Sequence, residues 1–497
     1  MNSATVLAAP GGEKQATRHS TTVKNAVILA AGRSQRFRER GIQKPKVLLE
    51  VGGLRLLERA VLTLHHAGVE HFRIVVGAYR RQVVRTMKHS RRLRKLDIEY
   101  VECEDFEKGN GVTFGAGAAG FDEPFLLAMS DHIFSPETVS DFIQKATTQP
   151  HLPALACDGN LPGVFDMDDA TKVSSRKGFI HNIGKEISEY DLVDTGLFYF
   201  PAGYGKRVAA EAQGGAHSVS GIIQRFIDET GVRAVALDNA FWQDVDYPGM
   251  KREAERRLHE TLVHPDDGWV SRNINRYFSI PLSFQIARLG LHPSWVTTVV
   301  FLLTLLGAWF AAFGSYELIV CGALIFQLAA ILDGCDGEVA RLTLRSSRFG
   351  DWYGRLAGNL RYVIFFSALG ISAWRATGSQ VYLFAVTILA SLAIYMLAQM
   401  ASFAFKQRGA KLEMASPVRR QAATPLEGSG VTSPGGFFGN LLRELNKQDV
   451  TALLTFVLCI FFLYKAMFWL AVLGTTATAV MISKSVHASN VAKEGGQ

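Results

Sequence analysis

The chain has 497 residues, 48% of them apolar and 20% charged, with 53 Lys and Arg against 45 Asp and Glu for a formal charge of +8. That length leaves room for more than one domain, and a mean hydropathy of +0.12 argues against a disordered chain and against a wholly water-soluble one. Cys103, Cys157, Cys321, Cys335 and Cys459 are odd in number, far apart and without C-x-x-C spacing, so neither a disulfide framework nor a zinc site is expected.

In the first twenty residues the short apolar stretch Val6 to Pro10 is followed at once by Gly11, Gly12, Glu13 and Lys14, so a cleaved leader is not expected and residues 1–22 read as a flexible tail. Ala26 to Ala31 is an apolar run of strand length, and Gly32-Arg33-Ser34-Gln35-Arg36 follows it directly. A tight turn after a buried strand brings backbone N–H groups close to phosphate oxygens, and Arg33 and Arg36 add positive charge. A single glycine turn is more often only a turn.

Residues 26 to 53 resemble the sugar-phosphate nucleotidyltransferases, whose signature reads L-A-A-G-x-G-x-R and then P-K-x-L-x-x-V-G-G. Gly32, Arg36 and Lys46 match it, while Ser34 stands where the second glycine is usual, which predicts a slightly altered loop. The resemblance implies an α/β Rossmann-like domain over 23–262. It also implies nucleotide contacts from Ala31, Gly32, Asn110 and Gly111, with Gly109-Asn110-Gly111 read as a loop after a strand.

Phe125 to Met129 reads as a buried strand ending at Ser130-Asp131-His132, which places an acid at a strand's carboxyl end. Alternation in Trp242-Gln243-Asp244-Val245-Asp246 puts Asp244 and Asp246 on one face of a strand. Asp131 with Asp244 or Asp246 would hold Mg²⁺, or Mn²⁺ in its place, against a triphosphate, while Arg36 and Lys46 neutralise developing charge. Taken singly, these charges also read as solvated loop residues. The stretch Gly178 to Phe200 resembles the branch that makes CDP-inositol from CTP and inositol 1-phosphate, which implies Lys185 and Asp194 as substrate contacts. As bare chemistry Lys185 is only a cation after a glycine.

From about residue 290 charge becomes sparse. Trp295 to Phe313 runs 19 residues without a formal charge, roughly 28 Å of helix and close to the thickness of a bilayer's hydrocarbon core. Further apolar segments are Leu318 to Leu332, Leu360 to Trp374, Val381 to Phe405, Val450 to Tyr464 and Ala466 to Ser483, so an all-α six-helix transmembrane bundle is expected over 291–490. Any one of them could be a buried soluble helix; six in succession argue for lipid.

Arg341, Arg345, Arg348 and Arg355, then Lys406, Arg408, Lys411, Arg419, Arg420, Arg443 and Lys447, follow the second and fourth spans. Basic loops face the cytoplasm, which predicts a multi-pass protein of the inner membrane with both termini inside. Residues 406–448 read as a flexible loop rich in Pro, Gly, Ser and Thr. Trp269 to Arg288, within the segment 263–290, mixes aromatics and arginines as an interfacial helix does, or as a plain domain connector.

At the end of the second span the chain reads Asp333-Gly334-Cys335-Asp336-Gly337-Glu338-Val339-Ala340-Arg341. Acids at membrane depth are unfavourable by about 2.5 to 3.5 kcal/mol each and mark a functional site by default. Asp333, Asp336, Gly337 and Ala340 share one helical face. This stretch resembles the CDP-alcohol phosphatidyltransferases, whose motif is D-x2-D-G-x2-A-R-x8-G-x3-D-x3-D. The match runs through Arg341 to Gly350, but Gly354 and Gly358 replace the last two aspartates.

The resemblance implies Asp333 and Asp336 as metal ligands. It also implies that this half lacks two ligands and its general base. Asp351 is a partial ligand or, more simply, the first acid of the third helix. A cytidylyltransferase ahead of such a bundle implies that the bundle consumes the CDP-alcohol, passing the inositol phosphate group to a second inositol phosphate. The alternatives are a catalytically inactive anchor, or action on CDP-diacylglycerol or a lipid alcohol. A homodimer through the membrane half is considered, and no nucleic-acid partner is expected.

Overall fold

The computed structural model describes residues 23–237, 241–263, 267–408 and 447–494. The tail 1–22 lies outside them. Of the loop read at 406–448, residues 406–408 continue a helix, 448 begins the next one, and 409–446 lie outside the described residues.

The strands are β1 (Asn25–Ala30), β2 (Glu50–Val51), β3 (Leu54–Arg55), β4 (His71–Val76), β5 (Asp97–Glu102), β6 (Phe125–Met129), β7 (His132–Phe134), β8 (Ala154–Asp158), β9 (Lys172–Arg176), β10 (Phe179–Gly184), β11 (Leu192–Phe200), β12 (Arg233–Ala236) and β13 (Trp242–Asp244). Nine of them form one sheet in the order β5-β4-β1-β6-β11-β8-β12-β10-β9, while β2 with β3 and β7 with β13 make two small pairs. The block β5-β4-β1-β6 is parallel, and β11 runs antiparallel to β6 and β8.

Every residue of β1 is buried. A continuous apolar run of this kind belongs to a strand covered on both faces. Alternation sends Ala26 and Ile28 to a core shared with helices Leu56–His66 and Pro136–Ala146. Val27 and Leu29 go to a second core with Asn110–Ala118, Tyr204–Gln213 and Val219–Glu229. The pairing Leu29 to Met129 sets the carboxyl ends of β1 and β6 side by side, so the turn after β1 and the acid after β6 share one crevice.

The second half, among the described residues, is six helices: Pro293–Ala312, Tyr316–Leu342, Arg348–Thr377, Val381–Arg408, Gln448–Ile460 and Tyr464–Glu494. Among the described residues three stretches are long and apolar enough to cross a membrane: Pro293–Ala312, Tyr316–Leu342 and Phe349–Thr377. Gln380–Tyr395 and Gln448–Ile460 are shorter apolar stretches of the described residues. The acidic motif continues the helix of the second span without a break. Gly307 and Gly322 let the first two helices touch, since a Cβ at Gly322 would stand 2.4 Å from the Gly307 carbonyl oxygen.

A π-helical turn at Ser271–Asn275 leads into helix Arg276–Arg288. Trp269, Tyr277 and Phe278 are exposed on it, while Ser279, Ile280, Ser283 and Ala287 are buried. Ile280 and Ala287 share a core with Phe37, Val51, Ile133, Val245 and Leu342. One helix therefore offers an aromatic outer face and connects the two halves.

Candidate active site

The turn after β1 begins with Ser34 in the left-handed region at φ 55°. An L-residue there is disfavoured by roughly 1–2 kcal/mol. The Ser34 hydroxyl accepts a hydrogen bond from the backbone N–H of Lys46 at 2.8 Å. The residue in the second glycine position therefore adopts a glycine-like conformation and adds a tie between the two signature segments.

Lys46 reaches the crevice and pairs with Asp131 and, at 2.5 Å, with Asp246. Arg36 bonds Asp246 at 2.9 Å and Asp169 at 2.6 Å, and Lys185 bonds Asp169 at 2.6 Å. Three cations and three acids thus alternate in one continuous chain from Lys185 to Asp131. Burial opposes the charge on Lys46, but Asp131 and Asp246 outweigh it and hold the ammonium above its ordinary range. Burial likewise opposes the Asp131 carboxylate, while Lys46 and His132 hold its pKa below normal. The hydrogen bond from Arg36 does the same for the exposed edge of the site, keeping Asp169 well below the usual carboxylate range.

Asp244 pairs across the β7–β13 ladder with His132, and Asp246 lies just past the strand's end. Asp244 is close enough to feel the charges of both Asp246 and Asp131. His132 Nδ1 lies 2.7 Å from the Thr195 carbonyl oxygen. Burial lowers the His132 pKa, but Asp131 and Asp244 reverse this and raise it. Asp194 accepts from the Gly196 N–H at 2.7 Å, yet burial pushes its pKa up to about 6.

Among the described residues no cluster of three or more His, Cys, Asp or Glu side chains is arranged as a metal cage. Mg²⁺ does not require one, because it is commonly held by one or two carboxylates plus substrate phosphates. Asp131 and Asp246, which converge on a single ammonium with Asp244 close by, fit that donor set.

Asn110 and Gly111 open helix Asn110–Ala118 rather than lying in a loop. The Asn110 side-chain oxygen accepts from Val219 N–H at 3.0 Å, and Gly111 N–H donates to His217 at 2.9 Å. A Cβ at Gly111 would stand 2.4 Å from the Ala216 carbonyl oxygen, so the glycine permits that approach. Arg33, paired with Glu107, draws the Gly32 turn toward this helix start, and Ala31 is tied to Ala78. Asp169 carried no motif, and His132 stood in the segment Met129-Ser130-Asp131-His132 without a role of its own. The acidic run Asp166-Met167-Asp168-Asp169 was the only available signal for Asp169.

In the membrane half, Asp336 accepts from the Thr297 hydroxyl at 2.6 Å and from Gly337 N–H at 2.5 Å. Asp333 is ion-paired with Arg361 at 2.6 Å. A cavity of about 240 Å³ is lined by Asp336, Gly337, Ala340, Asp351 and Gly354, with Arg345 and Arg355 beside them. Asp351 is exposed in the first turn of its helix, below the cap made by Ser347. Arg341 points away from Asp336, donating to the Leu262 carbonyl at 3.2 Å. Glu338, which the motif leaves variable, is fully buried and accepts from Ser279 and Ser283 at 2.6 Å each and from Arg276.

The two halves meet at Arg59, whose guanidinium donates to the carbonyls of Val51 at 2.9 Å and Leu342 at 2.8 Å. A Cβ on Gly53 would stand 2.5 Å from the Ala287 backbone.

Residues 26–181 match the MobA-like NTP transferase domain family, and residues 290–480 match the CDP-alcohol phosphatidyltransferase family. A bifunctional IPC transferase and DIPP synthase from Rubrobacter xylanophilus is 34% identical over 357 residues, covering 70% of this chain and 77% of that protein. Its namesake from Aquifex aeolicus is 31% identical over 350 residues, with the same shares covered. The solved inositol-1-phosphate CTP transferase from T. maritima aligns with 48% of this chain and 97% of its own, at 24% identity and a TM-score of 0.41. With a nucleotidyltransferase sheet, an apolar helical half and these relatives, the chain is a transferase that belongs to the bifunctional IPC transferase and DIPP synthase family.

Proposed function

We propose that the first half transfers a cytidylyl group from CTP to inositol 1-phosphate, giving CDP-inositol and pyrophosphate. A phosphate oxygen of the inositol phosphate attacks the α-phosphorus of CTP, and the bond to pyrophosphate breaks. The observation that carries this reading is Lys46 held between Asp131, just after β6, and Asp246, just past the end of β13. Lys46 and Arg36 are the cations that meet the triphosphate, leaving the acids as they do so. Asp131, with Asp244 and Asp246, would hold Mg²⁺, which polarises the α-phosphate when bound. Ala31, Gly32, Asn110 and Gly111 line the nucleotide side; Lys185 and Asp194 serve the inositol phosphate.

The remainder of the reading places this domain at the cytoplasmic face of the inner membrane, on a multi-pass bundle whose basic loops support that orientation. Helix Arg276–Arg288 lies at the interface with its aromatic face outward. In this family the bundle passes the inositol phosphate group of CDP-inositol to a second inositol phosphate; here Gly354 and Gly358 impair that transfer. Purified protein given CTP, inositol 1-phosphate and Mg²⁺ releases pyrophosphate, and Asp131→Ala abolishes the release. Undiminished release from that variant sinks the assignment.

A further inference from the structure

The two glycines of the membrane motif lie where missing ligands would leave a mark. A Cβ at Gly354 would stand 3.6 Å from Asp336 Oδ2, so a carboxylate there would face Asp336 directly. A Cβ at Gly358 would meet Gln448 Oε1 at 3.7 Å and Arg361 Nη2 at 3.9 Å. The side-chain space beside Gly358 is thus bounded by a guanidinium, and that guanidinium binds Asp333 at 2.6 Å.

Arg361 is only 3% exposed. Its Nη1 donates to the Ala329 carbonyl at 3.4 Å, and its Nε finds no partner among the described residues. A guanidinium does not lose its proton in a protein, so this positive charge is permanent. A buried, partly unsatisfied cation is costly and persists only where an acid compensates it; Asp333 is that acid. Asp336 is satisfied separately, one oxygen by Thr297 and the other by Gly337 N–H. Both oxygens of Asp336 thus meet donors within the chain, and one oxygen of Asp333 is held by a permanent cation.

Charge leads to the same result. Two carboxylates, one of them neutralised by Arg361, face the four positive charges of a divalent pair. The cavity beside Asp336 adds Asp351, but Arg345 and Arg355 cancel it. The residues present therefore do not fit a two-metal centre. The cytosolic site differs because triphosphate oxygens complete its donor set.

We infer that in this chain Arg361 stands in place of divalent metal, so the bundle turns over no CDP-alcohol and CDP-inositol leaves for a phosphotransferase carried by another chain. The clause on CDP-inositol rests on the function proposed above; the metal clause stands on the geometry alone. In the reaction that must follow elsewhere, an acceptor hydroxyl oxygen attacks the inositol-bearing phosphorus. The phosphoanhydride bond to CMP breaks, CMP departs with the electron pair, and the acceptor's proton passes to a base.

The test uses full-length protein in phosphatidylcholine nanodiscs, titrated with Mn²⁺ and followed by electron paramagnetic resonance. Wild type and the double variant Asp333→Asn with Asp336→Asn are expected to bind the same number of ions; loss of one or two ions in the variant overturns the inference. The triple variant Gly354→Asp, Gly358→Asp, Arg361→Leu is expected to gain bound Mn²⁺. Failure to gain, in protein that elutes as wild type does on size exclusion, counts against the assignment to these three positions.

In a second arm, wild type receives CTP, inositol 1-phosphate and Mg²⁺. CDP-inositol should accumulate with at least about a hundredfold less CMP than pyrophosphate, the low end of what losing a general base costs. CMP in step with pyrophosphate overturns the inference. Absence of pyrophosphate sinks the proposed cytidylyl transfer instead, and the Mn²⁺ count then decides the metal clause by itself.

Discussion

The Ser34 hydroxyl accepts a hydrogen bond from the Lys46 backbone N–H at 2.8 Å while Ser34 itself sits at φ 55°. This contact joins the turn after β1 to the segment that carries Lys46. Ser34→Ala keeps the left-handed strain and loses the bond, so it should destabilise the protein by about 1 kcal/mol and raise the KM for CTP. Ser34→Gly loses the bond but relieves the strain, and should lie within about 0.5 kcal/mol of wild type. Thermal unfolding with steady-state kinetics separates the two; equal losses would show that the conformation at Ser34 carries no cost.

Lys46 lies between two acids, and in the proposed transfer it acts through its charge rather than its bulk. Lys46→Met should lower pyrophosphate release by about 10²–10³, the usual loss for one preorganised electrostatic group. Lys46→Arg should not restore it, because a planar fork does not reproduce a point charge between opposed carboxylates. Full activity in the arginine variant would contradict this geometry.

Burial raises the Asp194 pKa from 3.8 to about 6. Between these values the folded state binds a proton that the unfolded chain has released. This group therefore stabilises the fold fully below pH 3.8, and its contribution falls away as pH rises to about 6, by up to about 3 kcal/mol. Asp169 acts in the opposite sense: its lowered pKa supplies stability above its ordinary value that is lost on acidification. Asp194→Asn should flatten the dependence of unfolding temperature on pH between about 4 and 6. An unaltered slope would show that Asp194 titrates normally.

Glu338 joins the helix of the second span to the juxtamembrane helix through Ser279, Ser283 and Arg276. Glu338→Ala leaves three buried donors without their shared acceptor and should destabilise the protein by about 3 kcal/mol or more. The readout is the unfolding midpoint in detergent. An unchanged midpoint would mean that Arg276, which keeps both of its bonds to Asp267 at 2.8 Å, suffices as the link.

The order of elements was legible from local chemistry alone. The apolar run of β1, the turn at Gly32, the strand that delivers Asp131 and the helix bearing Asp333 and Asp336 are each set by periodicity or spacing within a few residues. The misjudged features were those whose surroundings come from elsewhere in the chain. Asn110 was read as a loop residue because a glycine on either side suggests a turn, yet contact with the segment Ala216 to Val219 starts a helix there.

The sequence by itself determined which chemical groups exist and on which elements they ride, since propensity, pattern and motif act over short range. Only the tertiary structure decided their partners. Arg36 meets Asp169 across 133 positions, and Lys46 meets Asp246 across 200. Arg361 reaches Asp333 from the next helix, and Glu338 becomes a buried hub only because the juxtamembrane helix packs over it. A charge acts through distance and dielectric, and both are properties of the folded arrangement rather than of order along the chain.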